Sequence, residues 1–270
     1  MKVVLFCGGL GTRIREYSES IPKPMIPVGH QPILWHVMQY YKDYGHTDFI
    51  LCLGYKANTI KEFFLGYRPQ VFADCVVSGS GAQVELLDEP DEDWRVTLID
   101  TGIWRNIGER LWAVRDQVMD EEIFLANYSD GLADVNLDDM VARFKNSGKL
   151  ACFLAVRPPL SYHLADIAED GRVRAMQSFD RSEIWINAGY FLLRPQVFEY
   201  MKEGEELVVD PFQRLIEADQ LISYKHNGFF RAMDTLKDRQ ILEELVEQGR
   251  MPWRSRNGAK SGSRLSLAAL

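Results

Sequence analysis

Residues 3–13 read Val3-Val4-Leu5-Phe6-Cys7-Gly8-Gly9-Leu10-Gly11-Thr12-Arg13, and after a polar loop the chain continues Ile21-Pro22-Lys23-Pro24-Met25. The unbroken apolar run Val3–Cys7, ending against glycines, describes a fully buried strand that runs into a turn. Gly8, Gly9 and Gly11 allow the backbone to turn with positive φ and to pass close to a ligand. N–H groups exposed in such a turn form a cradle for phosphate oxygens. Arg13 adds a planar, always-charged fork, and Lys23 adds a point charge on a mobile stem across the loop. The stretch reads as a polyphosphate site. Its glycine spacing fits neither Gly-x-Gly-x-x-Gly nor Gly-x-x-x-x-Gly-Lys-Ser/Thr, the two common nucleotide fingerprints. Taken alone, Gly8-Gly9-Leu10-Gly11 is equally a strand-ending turn.

Outward from this strand, helical and strand patterns alternate. Ile33, Leu34, Val37, Met38 and Tyr41 recur at helical spacing, so residues 32–43 form an amphipathic helix that Gly45 ends. Phe49–Leu53 is a second buried strand, followed by a helix over 59–65 with Asn58 as its cap. Further strands are expected at 84–87, 96–99, 123–126, 151–156, 184–193, 221–224 and 229–232, with a hairpin turning at Glu169-Asp170-Gly171. Further helices are expected at 110–118, 137–144, 195–200, 211–218 and 235–247. This order predicts an α/β fold: a doubly wound, mostly parallel, Rossmann-like sheet with helices on both faces and a small mixed β/α acceptor region toward the C-terminus. We expect one domain over 1–253, its acceptor part roughly 157–232, and a flexible tail over 254–270 rich in Ser, Arg and Gly.

The chain has 270 residues, 46% hydrophobic and 26% charged, with a formal charge of −8. That balance argues against nucleic acid or an anionic membrane as partner, so an anionic substrate must be drawn by local cations. Cys7, Cys52, Cys75 and Cys152 lack metal-ligand spacing. Free thiols and the lack of a signal segment point to the cytoplasm. No apolar run approaches a membrane span.

In an open α/β sheet, ligands bind beyond the carboxyl ends of the strands. Asp130 follows one predicted strand and Asp234 another. Two carboxylates from distant parts of the chain can hold one Mg²⁺ that bridges substrate phosphates. Each alone is also an ordinary turn or cap residue, and Asp234 stands directly before Thr235-Leu236, which open a helix.

Gly8-Gly9-Leu10-Gly11-Thr12-Arg13 followed by Pro22-Lys23-Pro24-Met25 resembles the signature of the sugar-1-phosphate nucleotidyltransferases. Tyr128-Ser129-Asp130-Gly131 and Met233-Asp234-Thr235 resemble that family's metal-binding segments. The tract Val96 to Gly102, with Gln31–His36, Gly54-Tyr55-Lys56, Arg110-Leu111 and Ile186-Asn187, is most similar to the glucose-1-phosphate cytidylyltransferase branch. The resemblance implies CTP and a phosphorylated acceptor as substrates, pyrophosphate as product, and commonly a homo-oligomer. It implies Arg13 and Lys23 as catalytic residues, Gly8, Gly9, Gly11, Thr12 and Arg110 around the nucleotide, and Asp130 and Asp234 as Mg²⁺ ligands. Asn187 is placed toward acceptor hydroxyls. By its position alone, Arg110 reads as a surface helix residue.

The acceptor side departs from the family pattern. Where the family carries Glu-Lys-Pro, with a lysine gripping the sugar phosphate, this chain has Ser178-Phe179-Asp180, and Arg181 follows. Where relatives show Arg-Phe-Gly it has Ser161-Tyr162-His163. Tyr162, His163 and Arg181 are therefore candidate acceptor residues, with Trp185 beside them, for glucose 1-phosphate or a different phosphorylated acceptor. Two alternatives remain open: transfer from UTP, dTTP or GTP to a hexose 1-phosphate, or nucleotide binding without catalysis. The presence of Arg13, Lys23, Asp130 and Asp234 together speaks against the second, since binding alone needs no metal carboxylates.

Overall fold

The computed structural model describes residues 1–11, 14, 20–68, 71, 74–81, 83–87, 93–158, 163–178 and 183–254. Thr12, Arg13, most of the 14–21 loop, Tyr162, Arg181 and the tail from 255 lie outside the described residues.

Seven strands form one sheet: β1 (Val3–Phe6), β2 (Asp48–Leu53), β3 (Arg95–Asp100), β4 (Phe124–Tyr128), β5 (Ala151–Val156), β6 (Ile186–Leu193) and β7 (Leu221–His226), in the order β7-β5-β6-β4-β1-β2-β3. β6 alone runs antiparallel to its neighbours β4 and β5; the other pairings are parallel. Alternate residues of each strand feed two separate cores, as period-two side-chain alternation requires. Val3, Leu5, Phe49 and Leu51 pack on one face with the helix Ile33–Asp43 and with Trp253. Val4, Phe6, Ile50 and Cys52 pack on the other with Leu111, Phe198, Phe212 and Leu215. Helices cover both faces, which is the doubly wound arrangement expected from the sequence. β6 and β7, which fall within the expected acceptor part at 157–232, are members of the central sheet.

The differences from the sequence expectations have local causes. The helix expected from Arg110 begins at Ile107, because Asn106 and Glu109 form a reciprocal capping box. It ends at Ala113 and a 3-10 turn, Arg115–Gln117, follows. Lys56, with φ 49°, stands at the cap position of the helix Ala57–Leu65, so Asn58 lies inside it. Residues 195–200 wind as a 3-10 helix. Arg254, expected to begin a mobile tail, is anchored: its Nε donates to Asp43 Oδ2 at 2.8 Å, beside buried Trp253. Among the described residues, no helix is long and apolar enough to cross a membrane.

Candidate active site

A short two-stranded ladder assembles the site. Gly131–Ala133, directly after β4, pairs antiparallel with Phe230–Ala232, and the Met233 N–H extends the ladder to the Asp130 carbonyl at 2.9 Å. Asp130 and Asp234 thereby become diagonal neighbours at the carboxyl end of the sheet. Ser129 closes the turn by donating its hydroxyl to the Phe6 carbonyl of β1 at 2.8 Å. Asp234 is not a helix cap. Thr235 caps the following helix, Leu236–Glu247, through a capping box with Asp238.

Lys23 enters from the opposite side. Pro22 is extended, Pro24 is buried, and Lys23–Met25 form a single 3-10 turn locked by Ile26, which is fully buried. The constrained φ of the two prolines limits where the lysine stem can point. Its Nζ donates to Asp234 Oδ1 at 2.8 Å and to Asp130 Oδ2. Burial by itself pushes the ammonium's pKa down, but the two carboxylates more than offset that, and the net shift is upward. Lys23 is therefore a permanent cation between two carboxylates.

Arg110 is buried, not on the surface. It is 2% exposed and its guanidinium donates to the carbonyls of Gly8, Leu53, Gly102 and Ile103 and to Thr101 Oγ1, at 2.8–3.1 Å. It ties the ends of β1, β2 and β3 together directly behind the glycine turn. Gly8 and Gly54 lack a side chain for this reason: a Cβ at either would collide with the guanidinium. Gly9, by contrast, is exposed and faces open space, and Gly11 turns with φ 65°. Of the glycines read as a phosphate cradle, Gly8 serves the arginine, while Gly9 and Gly11 line a cleft of about 390 Å³ with Lys23, Asp130 and Asp234.

The cleft is also lined by Tyr128, Glu206 and Arg105, none of them assigned a role from the sequence. Burial raises the Glu206 carboxyl above its ordinary value and pushes the Tyr128 phenol up to about 12. Tyr128 is hydrogen-bonded to Asn187, whose Oδ1 also accepts the Gly189 N–H at 2.9 Å. Gly189 has φ 77° and no room for a Cβ against the Tyr128 ring. Asn187 thus lies beside Tyr128, which lines the cleft, while His163 starts an exposed hairpin strand paired with Ser178. Tyr128 was detectable as the residue ending a buried strand beside Asp130; Glu206, in an irregular loop, carried no such signal.

A family model described as Nucleotidyl transferase matches residues 2–230 of the chain. The chain belongs to the nucleotidyl transferase family. This nucleotidyl transferase is 38% identical over 257 residues to glucose-1-phosphate cytidylyltransferase of Salmonella typhi, covering 94% of this chain and 99% of that protein. It is 36% identical over 256 residues to the probable glucose-1-phosphate cytidylyltransferase of Bacillus subtilis, with the same coverage, 94% and 99%. Among solved structures, HddC from Yersinia pseudotuberculosis matches with a TM-score of 0.65 at 19% identity, over 91% of this chain and 99% of that one. UTP-bound UGPase from Acinetobacter baumannii matches at 0.65 and 19%, over 92% and 93%. These two share the transferase fold.

Proposed function

We propose that this nucleotidyl transferase moves CMP from CTP to the phosphate of a small phosphorylated acceptor and releases pyrophosphate. The observation that carries the reading is the convergence of Lys23, Asp130 and Asp234 in a cleft bordered by Gly9 and Gly11. The identity to relatives named glucose-1-phosphate cytidylyltransferase supports CTP and glucose 1-phosphate as the first substrates to test.

An oxygen of the acceptor phosphate attacks the α-phosphorus of CTP. That nucleophile is already anionic, so no side chain need act as a base. What remains is positioning and charge stabilisation. The backbone at Gly9 and Gly11 admits the triphosphate. Lys23, held cationic, neutralises charge that grows on the α-phosphate. Arg13 is assigned to the departing β,γ-phosphates. Arg110 acts as a positioning residue, holding the carbonyls of Gly8 and Gly102 so that the glycine turn keeps its shape. Asn187, beside Tyr128, faces the acceptor.

Asp130 and Asp234 fit a divalent cation, because two hard carboxylate donors already converge on one positive centre. Mg²⁺ held there supplies charge neutralisation to the reacting phosphates.

Pyrophosphate release is measured with CTP, UTP, dTTP and GTP against glucose 1-phosphate, other sugar 1-phosphates, glycerol phosphates and phosphorylated amino acids, with Mg²⁺. We expect turnover with CTP well above the other three nucleotides. A preference for another nucleotide overturns the cytidylyl assignment, and silence on every pairing overturns transfer itself.

A further inference from the structure

The carboxyl edge of the sheet continues past Asn187 into a cationic wall that the transfer chemistry does not use. Trp185 precedes β6, Arg157 follows β5, and Lys225 lies in β7. The β5–β6 register pairs Ala155 with Asn187 and Val156 with Ile186, so the next pair along it brings Arg157 opposite Trp185. Ala155 also pairs with Lys225 on its other side. Side chains at alternate positions share a face, so Trp185, Asn187, Arg157 and Lys225 stand on one face of the sheet. Contacts bear this out: the Arg157 guanidinium lies 5.3 Å and the Lys225 ammonium 5.1 Å from the centre of the Trp185 ring.

Two cations are thus gathered around one ring. Among the described residues, no carboxylate pairs with Lys225, which is exposed. In a chain of net charge −8, such a concentration of positive charge on the substrate edge calls for an anion. Its distance matters too. Asn187 and Lys225 are separated by two strand spacings, about 10 Å. That is too far along the edge for the group that attacks beside Asp130, and it suits the opposite end of an acceptor about one sugar ring long.

We infer that Arg157, Trp185 and Lys225 form a subsite for a second anionic group on the acceptor, distal to its reacting phosphate. The acceptor is then a phosphorylated compound with a carboxylate or further phosphate at its far end. This rests on the transferase reading above and deepens it by naming the acceptor class.

The test compares glucose 1-phosphate with glucuronic acid 1-phosphate, which differ by one distal carboxylate. Each is titrated calorimetrically onto the nucleotide-free protein, and each is assayed for pyrophosphate release with CTP. Charged hydrogen bonds of this kind correspond to about a tenfold preference or more. We expect the wild type to bind glucuronic acid 1-phosphate at least tenfold more tightly, the advantage shrinking as salt is raised. Lys225→Glu, at an exposed position, should abolish that preference. Equal binding of both acceptors, tighter binding of glucose 1-phosphate, binding of neither, or an unchanged preference in Lys225→Glu overturns the subsite. A binding preference without any turnover would leave the subsite standing and refute the transferase reading; turnover without preference would do the reverse.

Discussion

Replacing Lys23 with methionine separates its two roles. In the structure its ammonium neutralises Asp130 and Asp234, and the three side chains are only 13%, 21% and 35% exposed. A divalent cation drawn to those carboxylates must therefore displace or tolerate a positive charge. At an effective dielectric near 20, a unit charge and a divalent one about 4 Å apart interact by about 8 kcal/mol. The lysine stem is flexible and the carboxylates are partly solvated, which screens the pair. Taking about a sixth to a third of that value, removal of the ammonium should favour Mg²⁺ by about 1.4–2.8 kcal/mol, or 10–100-fold in affinity. Turnover should move the other way and fall by about 10²–10³, the usual effect of losing one preorganised charge at a phosphoryl transition state. Calorimetric titration of Mg²⁺ into wild type and Lys23→Met, without nucleotide, reads the first effect, and initial rates of pyrophosphate release read the second. An unchanged Mg²⁺ affinity would mean that the two carboxylates do not form the metal site. Unchanged turnover would remove Lys23 from catalysis.

Other substitutions probe the scaffold. Arg110→Met removes the donor shared by the buried Gly8 and Leu53 carbonyls and the part-buried Gly102 and Ile103 carbonyls, so we expect a loss of about 2–4 kcal/mol in urea denaturation; stability near that of the wild type would show that the guanidinium does not hold the strand ends together. Gly8→Ala should cost about 1–3 kcal/mol by forcing a Cβ into Arg110, whereas Gly9→Ala, facing open space, should leave stability within about 0.5 kcal/mol. Equal losses at the two glycines would contradict their different surroundings. Burial lowers His36 to about 4, its Nε2 donates to the Val28 carbonyl at 2.9 Å, and its buried Nδ1 has no partner among the described residues. The unfolded chain takes up this proton below about pH 6.5 while the folded chain resists until about 4, so stability falls as pH drops through that window, by up to about 1.4 kcal/mol per pH unit for this residue. His36→Gln should flatten the pH dependence of unfolding there; an identical slope would mean the histidine is not held neutral.

Much of the fold was legible because its determinants are local. The apolar run at 3–7 marks a buried strand, and the helical spacing at Ile33, Leu34, Val37 and Met38 marks an amphipathic helix, whatever the rest of the chain does. The boundaries missed were also local: Asn106 and Glu109 form a capping box that places the helix start ahead of Arg110. Antiparallel β6 was harder to see, since a buried strand carries the same apolar pattern in either direction.

The sequence by itself determined the residue types and their local settings: a strand ending in glycines, a proline-bracketed lysine, and two aspartates after strands. Backbone propensity, turn chemistry and side-chain alternation act over a few residues, and such determinants can be read from the order of residues. Only the tertiary structure decided what meets what. Lys23 lies 107 positions from Asp130 and 211 from Asp234, and no short-range rule links them. The short ladder after β4 brings the two carboxylates together, and the 3-10 turn aims the lysine between them. The same holds for Arg110: on a helix surface it would be one charge among many, but packing turned it inward, where its two terminal nitrogens meet carbonyls gathered at the ends of three strands.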